Sequence, residues 1–312
     1  MDASVILCTY NRAASLSRTL QTLCELVLPV DLQWELIVVD NNSTDDTRQV
    51  CNEFTSRLPF CYVFEGQQGK SYALNHGITL ARGGLVLFLD DDVDVVKNWL
   101  ASFWEEADRH PEASFFGGRI LPKWEKQPPR WLAAHSQSLL SGVTVHFDLG
   151  NVTRPINDSD PCFYGANSAY RSAIFAAGAR FDPTICPCRD NQVRGEEEEL
   201  IQQLRAQGQI GLYVPEATVH HRNPAERMTE KYLRAWCMGC SIGDLRRGNI
   251  KMVHLWFGVP RYTWKQLVIG TITYGVLRWI GPDTTWIRAE KQMASAYGAI
   301  CEIYRARRAR SQ

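Results

Sequence analysis

The stretch LVLFLDDDVD, residues 85–94, decides the fold of this chain. Its first half is a continuous apolar run, which is typical of a strand buried on both faces of a sheet. Three consecutive carboxylates, Asp90, Asp91 and Asp92, follow the run. Open α/β sheets bind ligands at the carboxyl ends of their strands, so we expect these acids at a ligand site. They would repel one another strongly unless a cation compensates them.

The spacing of the three acids indicates how they would hold that cation. Alternate side chains of an extended segment share a face, so Asp90 and Asp92 are predicted to converge while Asp91 points elsewhere. Hard carboxylate oxygens suit Mg or Mn, which complete their ligand shells with water and substrate phosphates. The simpler interpretation is an acidic N-terminus for the helix predicted over residues 98–107.

Upstream of this strand, short β-rich runs alternate with helical patterns. Strands are predicted at residues 5–8, 36–39 and 61–64, and helices at 13–26, 45–54 and 71–81. This alternation predicts an α/β fold with a mostly parallel central sheet flanked by helices. Polar clusters follow the strands at residues 9–12, 40–45, 66–71 and 90–94. Because parallel strands end at one edge of a sheet, these clusters are expected to build one composite site.

One of these clusters, GQQGKS at residues 66–71, resembles a phosphate-binding P-loop. The P-loop pattern requires a further glycine at position 64, where this chain has Phe64. The sequence therefore argues against a nucleoside triphosphatase.

A second acidic cluster, GEEEEL at residues 195–200, opens another predicted helix. A single glutamate at a helix start is explained by the helix dipole, but four in a row exceed that need. Like charges packed together raise at least one pKa, which prepares a carboxylate to act as a base near neutral pH.

The charge of the chain is unevenly distributed although its totals balance. There are 34 Lys+Arg and 34 Asp+Glu in 312 residues, and no nucleic-acid partner is expected. From Arg222 onward, however, there are 16 Lys+Arg against 6 Asp+Glu. An acidic body with a basic C-terminal part suggests that the two parts face different things.

The cysteines and the N-terminus indicate the cellular compartment in which the protein is expected to occur. The sequence leads directly into a strand without a signal peptide, and its ten cysteines are not spaced as a disulfide framework. We therefore expect free thiols and a reducing cytosol. As an alternative, Cys186, Cys188, Cys237 and Cys240 could supply four thiolates to zinc.

The C-terminal part carries many aromatic residues between positions 254 and 280. Its apolar run, residues 266–277, is too short to span a bilayer. Aromatic side chains beside Arg261, Lys265 and Arg278 suit a helix that lies in a membrane interface. The alternative is a core helix that packs on the rest of the protein. Trp124 and Trp131, further upstream, could line a sugar or lipid site or could fill the core.

Several of these motifs, in this order, resemble the inverting family 2 glycosyltransferases. They are CTYNR (8–12), VVDNNSTD (38–45), GKSYALNHG (69–77), FLDDD (88–92), GANSAYRSAIFAAGARFDP (165–183), GEEEEL (195–200) and VPEATVHH (214–221). The resemblance covers roughly residues 3–240. It implies a GT-A, Rossmann-like catalytic domain over residues 1–222. A helical, basic and aromatic extension, residues 223–312, would pack on that domain and contact a membrane.

The resemblance also implies a role for individual residues around the sugar donor. Asp40 would accept a hydrogen bond from the base, taken to be uracil. Asp90 and Asp92 match the D-x-D pair that holds a divalent metal, with Asp92 the better ligand. His221, preferred to His220, would lie near the diphosphate or the metal. The remaining donor contacts would be made by Thr9, Tyr10, Arg12, Lys70, Asn75 and Asp91.

The catalytic base corresponds to the second acidic position of the family motif, which is Glu197 here. The family usually has Asp at this position, and Glu reaches one methylene further. Glu196 therefore remains an alternative base.

Together these implications predict a metal-dependent enzyme that moves a sugar from a nucleotide sugar, taken as a UDP-sugar, to a glycan or lipid-linked acceptor. Its expected location is the cytoplasm, peripheral on the inner face of the cell membrane. One competing hypothesis is a sugar nucleotidyltransferase, which has no obvious use for the acids around Glu196. Another is a non-catalytic glycan or nucleotide-sugar binder, in which Asp90, Asp92 and Glu197 need not all be present.

Overall fold

The computed structural model describes residues 1–187 and 193–310, which form two compact units. The first unit contains Met1–Trp124, Val145–Pro183 and Glu196–Asn223. The second contains Glu125–Thr144, Thr184–Gly195 and Pro224–Gln312, as far as these are described. The domain boundary at residue 222 stays a prediction.

The first unit is built on a nine-stranded sheet. Its N-terminal strands are β1 (Ala3–Thr9), β2 (Trp34–Asp40), β3 (Phe60–Phe64) and β4 (Leu85–Asp90). They pair in parallel in the order β3-β2-β1-β4. The apolar side chains of residues 85–89 are all buried, as the sequence predicts for a strand covered on both faces. The α/β class, with a large sheet flanked by helices, is confirmed.

The other half of the sheet changes strand direction. It consists of β5 (Val93–Val95), β6 (Ala113–Trp124), β7 (Arg154–Pro155), β8 (Asn167–Arg171) and β9 (Ile210–Asn223). Strand β8 runs antiparallel to β4, and the order continues β4-β8-β6-β9-β5, with β7 also pairing with β9. The long strand β9 pairs in parallel with β6, and this pairing contains two register irregularities.

Eleven helices are found among the described residues. They are α1 (Ala13–Leu23), α2 (Thr47–Phe54), α3 (Lys70–Leu80), α4 (Trp99–Arg109), α5 (Arg130–His135), α6 (Ser141–Thr144), α7 (Ser172–Ala176), α8 (Glu196–Ala206), α9 (Glu230–Arg246), α10 (Arg261–Ile280) and α11 (Asp283–Arg310). In α1 the buried residues Leu16, Leu20 and Leu23 recur at helical spacing, so this helix covers the sheet with one face.

The second unit is mainly helical and contains α9, α10 and α11. Helix α9 begins after Thr229, which caps it by accepting a hydrogen bond from the backbone N–H of Tyr232 at 3.1 Å. Trp131 packs edge-on against Trp286, with ring centroids 5.6 Å apart, which supports the core interpretation of this tryptophan.

Two short strands, β10 (Leu255–Trp256) and β11 (Val259–Pro260), form a hairpin just before α10. In the described part of the chain, no helix combines the length and apolar character needed to cross a bilayer. Among the described cysteines, Cys8, Cys24, Cys51, Cys61, Cys237 and Cys301 are free thiols. Cys188, one of the four alternative zinc ligands, lies outside the described residues.

Candidate active site

The carboxyl ends of β1, β2 and β4 meet at one edge of the sheet. In the parallel registers, Thr9 lies opposite Asp40 and Cys8 lies opposite Asp90. The first carboxylate of the acidic run is therefore beside the end of β1, as strand-end topology predicts.

The three consecutive acids have different partners in this site. Asp90 lies 3.1 Å from Nζ of Lys70. Asp91 accepts hydrogen bonds from Oγ1 of Thr9 at 2.7 Å and from Arg12 at 2.8 Å. Asp92 accepts from the same guanidinium at 3.0 Å. The predicted alternation does not extend past Asp90 because β4 ends there, and Arg12 consequently binds both Asp91 and Asp92.

Arg12 compensates a buried pair of like charges. Burial raises the pKa of the Asp91 carboxyl, Arg12 opposes that rise, and the neighbouring Asp92 adds to it. In return, Asp91 raises the pKa of the Arg12 guanidinium, which stays charged. Arg12 therefore offsets part of the negative charge that Asp91 and Asp92 bring to this edge.

His221 lies beside Asp92, with its Nε2 atom 3.3 Å from Oδ1. The antiparallel pairing of β5 with β9 sets Val93 opposite His221, and the histidine side chain is almost fully buried. His220 is instead opposite Asp94, outside this contact. The preference for His221 over His220 stays a prediction, although only His221 is seen to approach the acids.

Arg222 is a buried residue that sequence reasoning missed. Its guanidinium donates to the backbone carbonyls of Asp91 at 2.9 Å, Val93 at 2.9 Å and Ser15 at 2.8 Å, and to Oγ1 of Thr19 at 2.8 Å. These bonds fix the turn after β4 against α1, so Arg222 shapes the acidic turn without belonging to it. Only its place directly after His221 could have drawn attention to it.

Asp40 and Asn41 organise the opposite side of the strand edge. Asp40 accepts from the backbone N–H of Ser43 at 2.9 Å and from the Tyr62 hydroxyl at 2.8 Å. Asn41, which the sequence analysis did not single out, accepts from the N–H of Gly69 at 2.8 Å and donates to the carbonyl of Gln67 at 2.7 Å. The loop before α3 is therefore held to β2, which fixes where Lys70 begins its helix.

Lys70 joins the two acidic clusters of the sequence. Its Nζ atom lies 3.0 Å from Oε1 of Glu197 and 3.8 Å from Oε1 of Glu196, in addition to its contact with Asp90. Burial disfavours the ammonium, but Asp90, Glu197 and Glu196 outweigh that effect and raise the pKa of Lys70 well above its usual value. One cation thus brings together acids that are more than a hundred residues apart in sequence.

Gly165 lies against the same glutamate. A Cβ atom at this position would be 2.2 Å from Oε1 of Glu197, so the glutamate side chain would have to shift. The small-residue turn GAN at residues 165–167 therefore leaves room for the glutamate side chain. Glu196 is more buried than Glu197, with side-chain exposures of 3% and 15%.

Tyr10 and Asn75 are the remaining predicted donor contacts. Tyr10 is half-buried just after β1. Asn75, on α3, bonds both backbone groups of Phe181, donating to its carbonyl at 2.8 Å and accepting from its N–H at 3.0 Å. In the described structure this amide anchors the segment around residue 181, and its contact with a sugar donor stays a prediction.

The sequence of the chain is similar to those of several glycosyltransferases. The chain is 24% identical over 226 residues to a glucosyl-dolichyl phosphate glucuronosyltransferase of Haloferax volcanii, which covers 71% of this chain and 69% of that protein. It is 42% identical to a validoxylamine A glucosyltransferase of Streptomyces hygroscopicus, but over 92 residues, or 29% of this chain and 22% of that one.

Solved structures with the GT-A fold cover nearly the whole chain. Mannosyltransferase PcManGT from Pyrobaculum calidifontis, in complex with GDP-Man and Mn²⁺, has a TM-score of 0.63 at 17% identity, covering 96% of this chain and 86% of that one. TarS of S. aureus, residues 1–349 with UDP, has a TM-score of 0.56 at 15% identity, covering 98% and 92%. The predicted GT-A fold is confirmed.

The family profile Glycosyl transferase family 2 matches residues 4–178, which include the strand edge, the acidic run and the turn at Gly165. This match extends over more than half of the chain. The chain therefore belongs to glycosyl transferase family 2, and it is a glycosyltransferase.

Proposed function

We propose that the protein transfers a sugar, with inversion, from a UDP-sugar to a hydroxyl group of a glycan or lipid-linked acceptor. The observation that carries this proposal is the ammonium of Lys70, which lies 3.1 Å from Asp90 and 3.0 Å from Glu197. An acid predicted to bind the metal ion at the departing diphosphate and an acid predicted to activate the incoming hydroxyl thus share one site. Inverting transfer requires that arrangement, since attack and departure occur on opposite sides of the same carbon.

The donor would bind along the ends of β1 and β2. Asp40 is buried and already accepts two hydrogen bonds, but carboxylate oxygens have further acceptor capacity, which suits the N–H of a uracil base. Thr9, Tyr10 and Arg12 border this position. The guanidinium of Arg12 and the ammonium of Lys70 are the cations available to a diphosphate.

The residues next to this position could supply some of the ligands of a divalent cation. Asp90 and Asp92 offer oxygen ligands, and His221 approaches Asp92 with a ring nitrogen, a donor set that suits Mn. Among the described residues no group of three or more His, Cys, Asp or Glu side chains is arranged to hold an ion. This partial set suits Mn or Mg that is completed by water and substrate phosphates. The structural neighbour PcManGT is in complex with GDP-Man and Mn²⁺, which supports a divalent cation here. When bound, the metal would neutralise charge on the leaving diphosphate.

Glu197 would take the proton from the acceptor hydroxyl as its oxygen attacks the anomeric carbon. The bond between that carbon and the diphosphate oxygen breaks, and a nucleoside diphosphate leaves. We prefer Glu197 to Glu196 because it is the more exposed of the two and lies in the space left by Gly165. Family membership favours this reaction over nucleotidyl transfer and over binding without catalysis.

For the acceptor, the relative from Haloferax volcanii supports a lipid-linked glycan, since its name describes a glucosyl-dolichyl phosphate acceptor. A lipid-linked acceptor would locate the protein at a membrane surface, and we propose the cytoplasmic side. The test is to incubate purified protein with Mn²⁺ and a panel of nucleotide sugars and acceptors, and to identify the released nucleotide. Release of UDP from one UDP-sugar is expected, whereas release of pyrophosphate, or of no product from any donor, would contradict the proposal.

A further inference from the structure

One face of helix α10 is apolar and exposed over residues 268–280. The residues of this face recur at intervals of three or four, as helical geometry requires. We call them the apolar stripe: Val268, Ile269, Ile272, Val276, Trp279 and Ile280. Trp279 is 84% exposed and Ile280 is 80% exposed, which are extreme values for such large apolar side chains.

The other face of the same helix is already used for packing. Trp264 and Leu267 pack around Val259, Ile300 and Ile303 of the second unit. The stripe is therefore not the packing face of a core helix, which was the alternative interpretation of this segment. A contiguous exposed apolar face of this size indicates an interaction surface.

The hairpin before the helix extends this surface. At its tip Leu255, Trp256 and Phe257 are exposed, Phe257 by 74%. The tip is tied to α10 and α11, because Trp264 donates to the carbonyl of Trp256 at 3.1 Å and Tyr304 donates to that of Phe257 at 3.2 Å. Aromatic side chains thus occur at both ends of the helix, in the manner of interfacial anchors.

The charges around the stripe favour an anionic partner. Residues 245–282 include six Lys or Arg and no Asp or Glu. Of the basic residues, Lys251, Arg261 and Lys265 are exposed close to the hairpin and the stripe. A second copy of this surface would be repelled by like charge, whereas a bilayer with anionic headgroups offers both hydrocarbon and negative charge.

We propose that the apolar stripe and the hairpin tip bind the surface of an anionic phospholipid bilayer, with α10 lying in the plane of the interface. The part of α10 that carries the stripe presents a contact about 20 Å long in this orientation. The inference builds on the proposed function, because a membrane-bound enzyme can reach a lipid-linked acceptor, but vesicle binding and sugar transfer are measured separately.

The test is flotation of the full chain with vesicles of phosphatidylglycerol and phosphatidylcholine, without sugar donor. Ile272→Asp/Val276→Asp should bind at least about thirty-fold more weakly than wild type, because the burial of two branched side chains is lost. Val30→Asp/Val152→Asp is the matched control, since these valines are exposed in the first unit and the same charge is added. Wild type should also bind pure phosphatidylcholine vesicles much more weakly.

Other outcomes would overturn the inference. They are absence of wild-type flotation, equal flotation of Ile272→Asp/Val276→Asp and wild type, or a wild-type dimer that this double variant dissociates. Donor turnover with a water-soluble acceptor, measured without vesicles, should be the same in both double variants and in wild type. If wild type binds vesicles but shows no donor turnover, the proposed function is contradicted and the membrane inference is not affected.

Discussion

Replacing Lys70 by Met tests the central feature of the site. Methionine has a similar length and no charge, so it removes one ammonium from between Asp90, Glu196 and Glu197. If this ammonium faces the diphosphate of the bound donor, its loss removes a charge-assisted contact and leaves three acids that repel a phosphate anion. Such a contact contributes about 1.5–3 kcal/mol, so the dissociation constant for UDP should rise roughly ten- to 150-fold.

The measurement is isothermal titration of UDP in the presence of Mn²⁺, at neutral pH. Lys97→Met is the matched control, because Lys97 is exposed and should bind UDP as wild type does. Lys70→Arg keeps the charge and should recover most of the affinity. Melting curves recorded in parallel show whether the variants are folded, since an uncompensated acidic cluster is also destabilising. Affinity of Lys70→Met within about twofold of wild type, a difference below about 0.5 kcal/mol, would refute the reasoning.

Further predictions concern the acids of the site, the glycine beside them and a buried glutamate of the second unit. Asp92→Asn should abolish turnover and weaken metal-dependent nucleotide binding in titrations, and normal rate and affinity in this variant would contradict its assignment to the metal. Glu197→Gln should lower kcat about 10²–10⁴-fold and leave binding intact. Gly165→Ala should displace the Glu197 carboxylate and lower kcat by about 100-fold with little change in melting temperature, and the shorter side chain of Glu197→Asp should partly restore kcat in the double variant. In the second unit, burial raises the pKa of Glu290 from 4.5 to about 7, against the attraction of Arg234. Because the unfolded chain releases this proton at a lower pH than the folded chain, the stability associated with the protonated form is lost as the pH rises from about 4.5 to about 7. The loss amounts to about 3 kcal/mol, and Glu290→Gln should lose correspondingly less stability than wild type in melts across that pH range; identical pH profiles would contradict the assignment.

The strand edge could be predicted from sequence because hydrophobic pattern and topology determine it. When a buried strand is followed directly by acids, those acids lie at the edge of the sheet. The pairing of Cys8 with Asp90 confirms this position for the first acid. The partners of each acid could not be predicted, because strand alternation applies only while the strand continues. Since β4 ends at Asp90, the directions of Asp91 and Asp92 are set by tertiary contacts with Arg12.

The roles of Arg222 and Asn41 could not be predicted from the sequence for a related reason. Both act on backbone groups of distant segments, Arg222 on the turn after β4 and Asn41 on the loop before α3. Such bonds leave no periodic trace in the sequence, because the partner is a carbonyl or N–H that every residue carries. The antiparallel direction of β8 could not be predicted from the sequence either, because antiparallel and parallel strands can have the same apolar pattern.

The partners of the acidic run also suggest how the site is prepared for a donor. In the described structure Arg12 forms ion pairs with Asp91 and Asp92, and Lys70 forms ion pairs with Asp90 and Glu197. These two side chains are also the ones proposed to bind the diphosphate. A donor that arrives with a divalent cation would supply positive charge to the acids and negative charge to Arg12 and Lys70. Because Lys70 also binds Glu197, its move towards the diphosphate would free that carboxylate to accept a proton, so the base would become available only when a donor is present.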